Sequence, residues 1–235
     1  MAELSVAEES DCPVEGVDTR LMGDCCGRDG YDGVFGPRFS RRLARRHVRR
    51  GLDETATRMV AFITGEGVQG ASVLEIGGGV GGIQVELLRR GAARTTNLEL
   101  VDSYEADARA LAAEAGVADR IDRRLLDIAI QPDSVEPHDI VVLHRVVCCY
   151  PDYDKLLGAA ADAATRILVF SYPPRTVINR VVFGSENVWR RLQRSAFRTF
   201  VHDPGALLAA AQRHGLEPAY EQRGRAWNVV GLTAA

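Results

Sequence analysis

From residue 71 onward, short apolar runs alternate with stretches whose apolar residues return every third or fourth position. Strand signals fall at 72–76 (SVLEI), 95–100, 121–125, 139–144 and 166–171. Between them, Ile83, Val85, Leu87 and Leu88 mark one amphipathic helix, and residues 103–115 and 152–165 mark two more. The connections are too long for hairpins, so the strands pair in parallel and need helices on both faces of the sheet. Right-handed crossovers make this a doubly wound, Rossmann-like α/β fold.

The rhythm changes at both ends of this unit. Residues 177–195 predict an added helix carrying Val181, Val182, Phe183, Val188, Trp189 and Leu192. Asp203 caps a helix over 204–214, and Gly215 ends it. Segments 216–222 and 226–232 flank Arg223-Gly224-Arg225 and predict an antiparallel hairpin. Upstream, a helix over 38–50 stops at Gly51, and Asp53 caps another that points Met59, Val60, Phe62 and Ile63 at the core. Residues 1–56 are expected to form an N-terminal cap. The main domain is expected over 57–235, with an insertion at 173–202.

Charge is uneven along this 235-residue chain. Residues 1–37 hold nine acids against Arg20 and Arg28, a local charge of −7. Residues 38–50 reverse it to +7: Arg38, Arg41, Arg42, Arg45, Arg46, Arg49 and Arg50 share one broad helical face, with Leu43, Ala44, His47 and Val48 opposite. This stripe has three readings: a solvated face, a site for an acceptor or cofactor carboxylate, or a contact for nucleic-acid or lipid phosphate. The formal net charge of −3 gives no overall reason to expect nucleic acid or a membrane as a partner, and neither is expected. No apolar run is long enough to cross a bilayer, and the acidic start lacks the features of an export signal, so a cytoplasmic location is expected, as monomer or homodimer. Of five cysteines, four form the adjacent pairs Cys25–Cys26 and Cys148–Cys149. Neither C-x-x-C spacing nor a secretory context supports a metal site or a disulfide framework, and no metal is expected.

The chemistry concentrates after the first strand, in Val73-Leu74-Glu75-Ile76-Gly77-Gly78-Gly79-Val80-Gly81-Gly82. Glycines permit a tight strand-to-helix turn and let a ligand approach the backbone, and the N–H groups of the next helix favour a carboxylate or phosphate. Glu99 ends the second strand, where a carboxylate can accept both hydroxyls of a ribose. Gly77, Gly79 and Gly82 also fit the dinucleotide fingerprint G-x-G-x-x-G. Against a nicotinamide-dependent oxidoreductase stand the long segment before the first strand and the terminal antiparallel hairpin.

With this glycine turn, the acid two residues before it and Glu99, the sequence resembles the class I S-adenosylmethionine-dependent methyltransferases over about residues 57–235. The resemblance implies a seven-strand sheet of order 3-2-1-4-5-7-6 with the last strand antiparallel. It implies S-adenosyl-L-methionine as cofactor, with Glu75, Gly77, Gly78 and Gly79 at the methionine part, Glu99 and Leu100 at the ribose, and Asp127 and Ile128 at the adenine. Leu143 would border the cofactor at the end of strand four. The loop after that strand would flank the transferable methyl, making His144 a candidate general base because an unperturbed imidazole titrates near neutrality. Tyr150 is a second catalytic candidate. Tyr31, Phe35, Arg45, Cys149, Tyr172 and Trp189 are candidates for contact with the acceptor, and Phe39 and Phe183 for closing the site.

Two insertions over one mouth point to a small organic acceptor; the methylated atom (O, N or S) is left open. The resemblance extends loosely to porphyrin-type O-methyltransferases. Cys-Cys-Tyr-Pro stands after strand four, in place of the N/D-P-P-Y/F run of base-modifying enzymes. Alternatives are a methyltransferase directed at a thiol or metalloid through converging cysteine pairs, a non-catalytic cofactor-binding sensor, and the oxidoreductase.

Overall fold

The computed structural model describes residues 29–234. Residues 1–28 of the acidic start, including Cys25 and Cys26, lie outside the described residues, and so does the convergence of cysteine pairs on which one alternative reading depends. The β-strands are β1 Ser72–Ile76, β2 Arg94–Glu99, β3 Ile121–Leu125, β4 His138–Leu143, β5 Ala164–Tyr172, β6 Leu216–Gln222 and β7 Asn228–Ala234. They form one sheet of order β3-β2-β1-β4-β5-β7-β6, with β7 antiparallel to both its neighbours and every other pairing parallel.

The helices are α1 Asp29–Asp32, α2 Pro37–Arg50, α3 Glu54–Glu66, α4 Gly82–Arg89, α5 Glu105–Glu114, α6 Tyr153–Asp162, α7 Val177–Leu192 and α8 Pro204–Gln212. Alternation along the strands divides the core in two. Val73, Ile140, Val142, Ile167 and Val169 face α3, α4 and α5. Leu74, Val141, Leu143, Leu168 and Phe170 face α6 and α8. This two-sided burial is what makes the central strands almost continuously apolar.

Three features differ from the sequence expectation. The helix expected over 152–165 stops at Asp162, because Ala164 and Thr165 already belong to β5, a strand of nine residues. The helix α3 straddles the expected boundary at residue 56 and packs on α4, β5 and β7 as part of the main body. On α2, Val48 is exposed rather than inward; the buried seam runs through Ser40, whose hydroxyl donates to Asp107 of α5 (2.5 Å), and through Leu43 and His47.

Candidate functional site

The carboxyl ends of β1, β2 and β4 open onto a cavity of about 490 Å³, roofed by α1, α2 and the chain after α7. Its floor is the turn between β1 and α4. Gly77, Gly79 and Gly81 all take left-handed backbone angles (φ 65°, 58° and 80°), which glycine adopts without steric cost. Gly78 is needed for a different reason. A Cβ there would overlap Asn97 Oδ1 and come within 2.7 Å of the Glu75 carboxyl. Asn97 cannot give way, because its Oδ1 accepts from the Gly78 N–H (3.2 Å) and from Gln84 Nε2 (3.0 Å).

Two buried carboxyls flank this turn. Burial, and then the neighbouring Glu99, push Glu75 up to about 8, against the pull of Arg123 and the Gln84 backbone N–H. Glu75 Oε2 has no hydrogen-bond partner among the described residues. Burial likewise pushes Glu99 up to about 7, although the Gly79 N–H donates to it and Arg123 lies near. Arg123 of β3 ties the arrangement together: one guanidinium nitrogen donates to the Gly79 carbonyl and another to Glu105, each at 2.9 Å. Nothing in the sequence marked Arg123, because its role depends on β3 lying beside β2.

Farther along, Asp127 accepts from the Ala129 N–H with one oxygen and from the Tyr150 hydroxyl with the other, both at 3.0 Å. Burial and then the Asp127 charge hold the Tyr150 hydroxyl far above its usual range, so it is a donor that orients Asp127. The Tyr31 hydroxyl donates to the Cys149 carbonyl at 2.9 Å. The Cys148 and Cys149 sulfurs are 3.5 Å apart, and both residues line the cavity. Among the described residues no group of three or more His, Cys, Asp or Glu side chains is arranged to hold a metal ion.

His144 also lines the cavity, but its titration differs from the near-neutral value expected of a base. Burial draws it down to about 4; Asp53 opposes this, and the Arg145 and Arg46 guanidiniums reinforce it. It is therefore a neutral imidazole at pH 7, with Nε2 3.7 Å from Asp53. Asp53 itself does more than cap α3 through the Ala56 N–H: its other oxygen holds the Arg145 guanidinium at 2.9 Å. Arg145 has φ 62°, a left-handed angle uncommon outside glycine, and its side chain lies over Trp227.

The cavity brings together Glu75, Gly77, Gly78, Gly79, Glu99, Leu100, Asp127, Ile128, His144, Tyr150, Tyr31, Phe35 and Cys149. Four expected residues fall outside its lining. Leu143 is fully buried in the core on the α6 side, because alternation turns its side chain away from the opening. Tyr172 packs in the same layer, 6.0 Å from Phe170, and is bonded to Asn228. Arg45 lies on the solvent side of α2, and Trp189 points outward from α7, 61% exposed. Tyr104, Phe197, Asp53 and Trp227 take their place in the lining. They sit at loop and helix ends remote from the glycine turn in sequence, and only the cap in place shows their convergence.

No family profile and no curated protein matches the chain. Solved structures do resemble it. The magnesium protoporphyrin IX methyltransferase of Synechocystis PCC 6803, solved with SAH bound, aligns with TM-score 0.64 and 16% identity over 84% of this chain and 86% of its own. An S-adenosylmethionine-dependent methyltransferase of Mesorhizobium loti aligns with TM-score 0.58 and 16% identity over 78% of this chain and all (100%) of its own. An O-methyltransferase family 2 protein of Planctomyces limnophilus, in complex with apigenin, gives TM-score 0.63 and 14% identity over 85% of this chain and 62% of its own. With its strand order and antiparallel β7, the chain has the fold of the class I S-adenosylmethionine-dependent methyltransferases.

Proposed function

We propose that the protein transfers a methyl group from S-adenosylmethionine to a small organic acceptor. The observation that carries this reading is the line of Glu75, the glycine turn, Glu99 and Asp127 along one wall of a single cavity. The donor set fits the cofactor. The unpartnered Glu75 oxygen suits an ammonium, the turn leaves no room for a side chain, and Glu99 suits a ribose diol. Asp127, held by Tyr150 and Ala129, is fixed to accept from an adenine amino group.

When bound, the cofactor supplies a methyl already activated by its sulfonium, so the protein's task is alignment and exclusion of water. Tyr31, Phe35 and Phe197 form an aromatic wall with centroids 5.3 to 6.2 Å apart, which keeps the roof apolar. His144, uncharged, accepts a hydrogen bond from an acceptor hydroxyl or amine more readily than it would take up the proton.

Titration calorimetry with S-adenosylhomocysteine tests the reading. The wild-type chain is expected to bind it and to give no heat with NAD⁺. Gly78→Ala is expected to lose at least about tenfold in affinity, because buried, hydrogen-bonded atoms must move. Absence of heat from folded wild-type protein overturns the proposal. Binding without transfer to any phenol, carboxylate, amine or thiol acceptor is the outcome that the non-catalytic cofactor-binding alternative predicts.

A further inference from the structure

The helix α7 has sixteen residues and buries none of them. Its exposed apolar residues nonetheless lie on one side, in two neighbouring rows. Val177, Val181, Val188 and Leu192 form the first, and Ile178, Val182 and Trp189 the second, all 50 to 74% exposed. The opposite side faces the protein. Phe183 and Arg190 line the cavity, Arg190 lies 4.7 Å over Phe197, and Asn187 exchanges hydrogen bonds with Thr199. The amphipathic design thus has its apolar face turned to the outside, the reverse of a helix that packs on a core.

We propose that this face docks on an anionic lipid bilayer. Charge favours that occupant over a second copy of the chain. By helical spacing Arg180 and Arg191 share one margin of the apolar rows, and Arg194 follows the helix end. The one acid on the helix, Glu186, is already paired with Arg190. Two copies of α7 stacked antiparallel, face to face, would bring these arginines together with no unpaired acid of α7 to meet them, whereas acidic headgroups supply the missing charge. Valine, leucine and tryptophan beside an arginine margin are also the composition of helices that lie in a membrane surface. Docking is a property of the surface alone and does not depend on methyl transfer.

Vesicle sedimentation with the full chain tests it. The protein is expected to sediment with phosphatidylcholine vesicles containing phosphatidylserine, much less with phosphatidylcholine alone, and less as salt rises. Val181→Asp and Val188→Asp are expected to weaken the binding about tenfold each, because each removes the burial of one apolar side chain. Arg180→Glu with Arg191→Glu is expected to remove the preference for phosphatidylserine. These side chains are exposed, so thermal unfolding should be unchanged in every variant. Two results overturn the proposal: no sedimentation of wild-type protein with either vesicle, or a solution dimer that Val181→Asp converts to monomer, which would make a second copy the occupant.

Discussion

At the residue scale, the cost of the site is concentrated in two buried carboxyls. Glu75 and Glu99 ionise near 4.5 in an open chain but near 8 and 7 in the folded one, so the folded state holds extra protons between those limits. Stability must then fall as pH rises through that window, by up to about 1.4 kcal/mol per pH unit for each group still protonated. Below about pH 6.5 the burial-lowered histidines 47, 138, 144 and 202 act in the opposite direction, because folding there demands that they stay neutral. The clean interval is therefore pH 7 to 8, where Glu75 dominates. The melting temperature of the ligand-free protein is expected to fall across it, and Glu75→Gln to flatten the fall. A Glu75→Gln protein with the full wild-type slope would show that another group takes up the proton. An ammonium beside Glu75 would favour the charged form and draw its pKa back down, so its binding would release the proton that the empty fold holds.

At the scale of elements, Asp53 shows why some of the site could be read from sequence and some could not. Its place before α3 identifies it as a helix cap, and the Ala56 N–H accordingly donates to it. Its hold on Arg145 requires the start of α3 to lie beside the end of β4, ninety residues on, which no local spacing encodes. The glycine turn was legible because strand, turn and helix are contiguous. Periodicity also found α7 but not its orientation: spacing tells which residues share a face, and Trp189 shares one that points outward. Likewise Leu143 and Tyr172 were placed by proximity to the strand ends, whereas alternation sends both into the α6 layer. The two roles of Asp53 can be separated. Asp53→Ala is expected to cost about 1–2 kcal/mol in urea unfolding, and Asp53→Asn to restore most of it, since an amide oxygen still caps. If Asn restores nothing, the charge on Arg145 rather than the cap carries the stability.

At the scale of the whole molecule, the cavity's floor and roof differ in how they are held. The floor rests on strands buried on both faces, whereas the roof is a set of side chains from segments far apart in the chain. Phe197 is its centre: it makes edge contacts with Tyr31 and Phe35 at 5.4 and 5.3 Å, lies under Arg190, and its backbone leaves no room for a Cβ on Gly30. Phe35 continues the cluster through Phe39 and Tyr104 to the start of α5. Tyr31, Phe35 and Leu43 also pack on the core layer of the α3 side, but no strand residue belongs to the aromatic cluster itself, so the roof can open without unfolding the sheet. Phe197→Ala is accordingly expected to raise amide exchange at residues 30–39 and 193–200 while β1, β4 and β5 stay protected, and to speed release of S-adenosylhomocysteine more than it slows capture. Uniform loss of protection through the strands would mean instead that Phe197, 4% exposed, belongs to the global core. The difference matters for turnover, since a roof that opens by itself can admit ligand and expel water in one motion, whereas a roof fused to the core would need another route into the cavity.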